Sequence, residues 1–269
     1  MLVTGASSGI GRATAHELVA RGWRVFGSVR TEEDKAALEA AGVIPVPLDV
    51  TDAASVVAAR DRVKREVAGG VLDALVNNAG ITCYGPLEYT SSEQLRQVLE
   101  VNVIGVHRVT QAFLPLLRTA RGRIVNLSST SGRIALPFLG AYAASKHALE
   151  AWSDSLRREV AESGVTVVIV QPGRVDTRMV REAPVGDVRR FEGTPYETGT
   201  RELARRVREQ PSEPLAVGVV AGLIGDALEA HGPWAGIRTR RMVVPGRWWK
   251  MWVAGWLPAR VLDWVLGRR

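Results

Sequence analysis

The chain has 269 residues, 46% hydrophobic and 23% charged, a balance that suits one large soluble α/β domain and excludes a low-complexity or disordered protein. Its single cysteine, Cys83, rules out an internal disulfide, and no Cys/His cluster has metal-ligand spacing, so a reducing, cytoplasmic setting without a metal is expected. The net charge of +7 is local: eight basic residues against one acid between Arg238 and Arg269 supply all of it, which argues against a nucleic-acid-binding face spread over the fold.

The N-terminus lacks a charged region leading into an apolar core, so no signal peptide is expected. No uninterrupted apolar run reaches the ~18 residues that a spanning helix needs. Residues 1–5 read as a strand running into a turn; strands of this kind usually carry two or three more apolar residues upstream, so either the chain starts further upstream or this central strand is short. Thr4-Gly5-Ala6-Ser7-Ser8-Gly9-Ile10-Gly11 follows and enters an amphipathic helix through about Ala20. Glycines permit a tight turn and a close approach of backbone N–H groups to phosphate, and the helix N-terminus adds a favourable dipole. A Gly-rich turn alone is weak, but one lying between a strand and a helix is in the confirming context.

A second strand over 23–29 ends at Arg30-Thr31. In dinucleotide sites the adenosine ribose lies at this strand end. An acid there would accept the 2′-hydroxyl of NAD, whereas the guanidinium of Arg30 suits the 2′-phosphate of NADP. The bland alternative is an exposed arginine ahead of a helix over 31–41. A third strand over 43–48 closes on Asp49-Val50, and Thr51 or Asp52 caps the next helix, to about Val67. A fourth strand over 72–76 ends in Asn77-Asn78-Ala79-Gly80, small and amide residues that fit a ligand crevice. Ser91 or Ser92 caps a long helix to about Arg118, with Asn102 in an otherwise apolar stretch. Read on its own, a mid-helix Asn is a tolerated polar residue.

The run over 123–127 reads as a buried fifth strand that delivers Ser128-Ser129 at its end. Tyr142 then opens a helical pattern to about Ser163, with Lys146 four residues on and hence on the same face. An ammonium beside a phenol is expected to lower the phenol pKa from about 10 towards working pH. Such a tyrosine can give or take the proton of an alcohol or carbonyl oxygen, and Ser129 could hydrogen-bond that oxygen. A lone Y-x-x-x-K pair would be surface decoration; what precedes it decides otherwise. A sixth strand over 165–170 ends at Pro172-Gly173, followed by Arg174-Val175-Asp176-Thr177. Strand and helix alternate to this point, which argues for a parallel sheet covered on both faces.

The chain resembles the short-chain dehydrogenase/reductase family, including its hydroxysteroid and retinol dehydrogenase-like members, densely over residues 1–177 and loosely beyond. The family's T-G-x-x-x-G-x-G is matched by Thr4, Gly5, Gly9 and Gly11, its N-N-A-G by 77–80, and its Y-x-x-x-K by Tyr142 and Lys146 with Ser129 thirteen residues earlier. Asn102 matches its helical asparagine, and Pro172, Gly173 and Thr177 its P-G turn and threonine. The resemblance implies a single domain with a Rossmann-type doubly wound parallel sheet of about seven strands. It also implies roles. Tyr142 is general acid/base, Lys146 tunes it and holds the nicotinamide ribose, Ser129 polarises the substrate oxygen, and Asn102 anchors a relay water. Gly5, Ser7, Ser8, Gly9, Ile10 and Gly11 cradle the cofactor phosphates. Arg30, Asp49, Val50, Asn78, Ala79 and Gly80 hold its adenosine side, and Pro172, Gly173, Val175 and Thr177 its nicotinamide. Ser8 stands where some NADP-using members carry a second basic residue, so NADP(H) over NAD(H) rests mainly on Arg30. Relatives form homodimers or homotetramers through helices near 91–118 and 140–163.

Residues 178–213 lose periodicity and read as a substrate lid, with the domain closing near 245 after an apolar helix over 215–230 and an edge strand over 241–244. In 246–269, Trp248, Trp252 and Trp256 recur every four residues among basic side chains, which suits either a helical cap or peripheral membrane contact. The expected activity is therefore NADP(H)-dependent interconversion of a hydrophobic alcohol and its ketone or aldehyde. A 3-ketoacyl-carrier-protein reductase is the alternative, and a non-catalytic NADP-binding module a further one.

Overall fold

Neighbouring residues on the central strands face two different cores. Leu2, Leu75, Ile124 and Val167 join one buried apolar cluster, while Val3, Val76, Val125 and Val168 join the other. A strand apolar on both faces needs cover on both, and helices supply it. The computed structural model describes residues 1–182, 188–209, 214–230, 239–243 and 261. Its strands are β1 (Leu2–Val3), β2 (Phe26–Val29), β3 (Ile44–Pro47), β4 (Ala74–Asn77), β5 (Arg123–Leu127), β6 (Thr166–Pro172) and β7 (Arg240–Val243). They form one parallel sheet in the order β3-β2-β1-β4-β5-β6-β7. The order reverses between β1 and β4, which opens a crevice at the C-terminal strand ends.

On one face lie α1 (Gly9–Ala20), α2 (Glu32–Glu39) and α9 (Val217–Glu229), contributing Leu18, Leu38 and Ile224 to the core that holds Val3, Val76, Val125 and Val168. On the other lie α3 (Ala53–Glu66), α5 (Gly105–Ala120) and α6 (Gly140–Glu159), contributing Val63, Phe113 and Leu156. Local chemistry sets the helix starts. Thr31 accepts from the Asp34 N–H, Asp52 from the Ala54 N–H, and Ser91 forms a capping box with Gln94 at the head of α4 (Ser92–Leu99).

The long helix expected over 91–118 is not continuous. A π-helical turn, Glu100–Ile104, separates α4 from α5, and Asn102 lies inside it. Single π turns of this kind cluster at functional sites because the extra residue re-aims a side chain. Strand β2 also starts later than its apolar run, at Phe26, and the Trp23 indole ahead of it donates to Glu229 at 3.0 Å.

Between β6 and α9 come α7 (Arg178–Glu182), a 3-10 turn (Val188–Phe191) and α8 (Glu197–Glu209). Aromatic rings pin this segment to the loops below. Tyr89 meets Phe191 and Tyr196 edge-on at 5.9 Å, and Phe138 meets Tyr196 at 6.4 Å. Phe138 holds a left-handed φ of 66°, and its carbonyl accepts the Gly85 N–H at 2.9 Å. Gly199 makes room for that ring, since a Cβ there would lie 2.6 Å from Phe138 Cζ. Residues 183–187 and 210–213 of the expected lid lie outside the described residues, as does the Trp-rich stretch 246–269 apart from Val261. Among the described residues, no helix is long and apolar enough to cross a membrane.

Candidate active site

The turn after β1 is built by three mutually dependent parts. Gly5 and Gly9 take φ of 64° and 54°, in the left-handed region that glycine tolerates. The Gly5 N–H donates to Ser28 Oγ at 2.7 Å, which ties the turn to β2. The Asn78 amide donates to the Thr4 and Gly5 carbonyls at 2.8 and 3.1 Å, and Thr4 Oγ1 accepts the N–H groups of Asn78 and Ala79 at 2.9 and 3.0 Å. Ser8 precedes α1 without a side-chain capping bond, so the helix's leading N–H groups stay available. This cradle fits a pyrophosphate.

The cradle is one end of a cleft of about 1020 Å³ along the C-terminal strand ends. Gly5, Ser7, Ser8, Gly9, Ile10, Arg30, Asp49, Val50, Asn78, Ala79, Gly80, Tyr142, Lys146, Pro172 and Thr177 all line it. Arg30 is exposed at the end of β2. Asp49 accepts the Thr51 N–H and hydroxyl at 2.8 and 2.7 Å, and these bonds hold its carboxyl below the usual range, with smaller help from Arg30 and Arg108.

Three expected cofactor residues stand behind the wall instead. Gly11 is buried in α1, where a Cβ would lie 2.1 Å from the Gly5 carbonyl oxygen, so its role is close packing. The Gly173 N–H is bound to the Val243 carbonyl at 2.7 Å. The Val175 side chain is buried in the core. Its bridge to Leu215 uses the Arg174 carbonyl and the Asp176 N–H, which turns Val175's own backbone groups to the other side.

At the other end Tyr142 and Lys146 line the cleft; Ser129 does not line it, but it hydrogen-bonds the Tyr142 hydroxyl and accepts the Ser131 N–H at 3.1 Å. Lys146 is buried one turn after Tyr142. Its Nζ donates to the Leu127 carbonyl at 2.7 Å and lies 5.7 Å from the Tyr142 ring centroid. The expected lowering of the phenol is not what the folded chain produces. Burial pushes Tyr142 up to about 12, Ser129's hydrogen bond opposes the rise, and Tyr84 adds to it. Burial also brings Lys146 down to about 8, against the pull of Glu150. The surrounding protein desolvates both groups, which penalises each charge. A phenol so raised carries its proton at neutral pH.

Asn102 is fully buried and does not line the cleft. Its Oδ1 accepts the Ile81 N–H, and its Nδ2 donates to the Ile81 carbonyl and to Ser145 Oγ, each at 2.9 Å. The Asn102 amide is therefore a tie between the loop after β4 and α6. Gly80 sits between it and the lysine: a Cβ there would be 3.2 Å from Asn102 Oδ1 and 3.8 Å from Lys146 Nζ. Asn77 is also structural, its Nδ2 donating to Thr110 Oγ1 and Asn126 Oδ1 at 3.0 and 2.9 Å beneath the cleft.

Sequence reasoning missed Ser28, Thr51, Ile104 and Met179 on the wall, and Ser128, whose buried hydroxyl has no hydrogen-bond partner among the described residues. Ser128 alone carried a signal, as neighbour of Ser129 at a strand end.

The sequence profile of the family described as short chain dehydrogenase matches residues 1–186. An NADPH-dependent 3-dehydrocapnine reductase from Ornithobacterium rhinotracheale is 36% identical over 97% of this chain and 94% of its own. Human 17-beta-hydroxysteroid dehydrogenase type 6 is 45% identical over 66% of this chain, a stretch spanning 57% of that protein. Among solved structures, a short chain dehydrogenase from Burkholderia cenocepacia in complex with NADP superposes with a TM-score of 0.76 at 28% identity, covering 100% of this chain and 97% of that one.

Proposed function

The chain belongs to the short-chain dehydrogenase family of oxidoreductases, and we propose that it uses NADP(H) to interconvert a hydrophobic alcohol and its carbonyl partner. The observation that carries this reading is the placement of Tyr142 and Lys146 on the wall of a nucleotide-sized cleft, with Ser129 hydrogen-bonded to the phenol.

The glycine turn and the N-terminus of α1 would take the pyrophosphate, and Arg30 the 2′-phosphate. Thr177 stands beside Gly9, where a Cβ would be 3.4 Å from its methyl, and with the Val175 backbone it would hold the carboxamide. When bound, the nicotinamide supplies or accepts the hydride. Ser129 donates to the substrate oxygen and fixes its position. Tyr142 protonates that oxygen in the reducing direction and takes the proton back in the other. With its phenol at about 12, the reducing direction needs no prior ionisation of Tyr142. Lys146, at about 8, is mainly an ammonium at neutral pH and favours negative charge developing on the phenol.

The apolar substrate is argued from the surface. Leu87, Tyr89, Leu136 and Met179 are large, apolar and exposed, and all belong to the loops and lid on the cleft side of the sheet. Leu87 packs over the start of α6, where a Gly140 Cβ would meet it at 2.7 Å. Phe191 and Tyr196 of the segment 188–209 are held to that side by their contacts with Tyr89 and Phe138. A screen of apolar ketones and alcohols with NADPH and NADH, run beside Tyr142→Phe, tests the reading. Turnover should fall about 100- to 10,000-fold in the variant while NADPH still binds. Normal turnover by Tyr142→Phe refutes it.

A further inference from the structure

One turn beyond Lys146 on the same face of α6 lies Glu150, a carboxylate only 5% exposed. A charge so buried must be matched by partners. Its Oε1 accepts the Gln171 amide from β6 at 2.9 Å, and its Oε2 accepts Arg240 Nε from β7 at 2.9 Å. The same guanidinium reaches Asp154, a further turn along α6, at 2.7 Å. Glu150 also abuts the turn that carries Ser129. A Cβ on Gly132 would lie 2.6 Å from Ser128 Oγ, 3.0 Å from Glu150 Cγ and 3.2 Å from its Oε1. Two sheet strands and the serine turn thus fix one buried anion behind the lysine.

We propose that Glu150 is a positioning residue for the proton-handling pair: its carboxylate, pinned by Gln171 and Arg240, keeps Lys146 an ammonium beside Tyr142. The proposal rests on the reading of Tyr142 as the proton donor, and Glu150 acts on it only through Lys146. The groups around the lysine leave this part to Glu150. On α6 they are Tyr142, Glu150 and, further off, Asp154, with His147 exposed. The Leu127 carbonyl comes from β5 and uncharged Asn102 from the π turn, while Arg240 stands behind the carboxylate on β7. Tyr84 lies beyond the phenol and Arg178 on the cleft wall. Burial drives the lysine down to about 8, and Glu150 is what opposes it.

Acetic anhydride labelling of Lys146, followed by mass spectrometry across pH on the full chain without cofactor, reads the lysine independently of turnover. In Glu150→Gln, similar in shape but without the charge, the titration of Lys146 should fall by about one pH unit or more. The alkaline limb of kcat/KM for carbonyl reduction should move down with it. Glu150→Asp, which keeps the charge but draws it back towards the helix, should show a smaller downward shift. If Glu150 merely staples β7 to α6, Glu150→Gln loses stability with no change in the lysine titration, and that result overturns the proposal. Should Glu150→Gln fail to fold, an unmoved lysine in Glu150→Asp overturns it equally. Normal turnover by Tyr142→Phe would remove the catalytic reading and leave the labelling result standing.

Discussion

Gly11→Ala sets two opposing effects against each other. Gly11 is the third residue of α1, and Ala is favoured over Gly inside a helix by about 1 kcal/mol. On propensity alone the variant would be more stable. The tertiary contacts oppose this. The new Cβ would lie 2.1 Å from the Gly5 carbonyl oxygen and 2.3 Å from Asn78 Nδ2. The carbonyl is backbone and cannot swing aside, so α1 must retreat from the turn or Asn78 must let go. Overpacking of this kind costs about 1–3 kcal/mol. Each of the two hydrogen bonds from Asn78 to the turn contributes about 0.5–1.5 kcal/mol more. The clash wins, with a net loss of about 3 kcal/mol. Urea unfolding reads it as a lower midpoint at unchanged m value, and thermal unfolding as a fall of about 6–12 °C. NADPH affinity should fall as well, because the displaced turn is the one proposed to take the pyrophosphate. Gly22→Ala is the control: its φ is 84° but nothing lies within 4 Å of the new Cβ, so only the backbone cost of about 1 kcal/mol remains. A Gly11→Ala protein at least as stable as the parent, with unchanged NADPH binding, would refute the packing argument.

Arg30→Glu replaces the cation at the end of β2 with an anion, and should raise the KM for NADPH relative to NADH by about 10- to 100-fold; an unchanged ratio moves the 2′-phosphate elsewhere. The pH profile follows from the two desolvated groups, Tyr142 and Lys146. Carbonyl reduction needs Tyr142 protonated and Lys146 charged, so kcat/KM should be level on the acid side and fall as pH rises through about 8, where Lys146 loses its proton. The phenol, at about 12, sets no limb in that range. Alcohol oxidation should instead rise with pH, since Tyr142 must first give up its proton. A reduction profile that stays flat well above pH 8 would show that the lysine charge is not required.

Much of this architecture is readable along the chain because it rests on local rules. The glycine turn needs left-handed backbone at Gly5 and Gly9, and the residue type announces it. Thr31, Asp52 and Ser91 start helices through hydrogen bonds to N–H groups two or three residues ahead. Tyr142 and Lys146 share a face because of helix periodicity, and the apolar strands declare a sheet covered on both sides. Cleft membership was legible where it follows strand ends, as for Arg30, Asp49 and Asn78.

What the order of residues left open depends on groups that meet only after folding. Asn102 is a tie to Ile81 and Ser145, respectively 21 residues before it and 43 after, and nothing local marks the π turn that aims it. Gly11 serves packing and not contact, because the Gly5 carbonyl is folded back against it. The sign of the tyrosine's shift was settled in the same way. Spacing put a cation beside the phenol, but desolvation of both set their proton affinities, and how far a group is desolvated is decided by segments distant in the chain. Periodicity and backbone preference act over a few neighbouring residues, so they are written in the sequence; desolvation and long-range charge belong to the assembled interior.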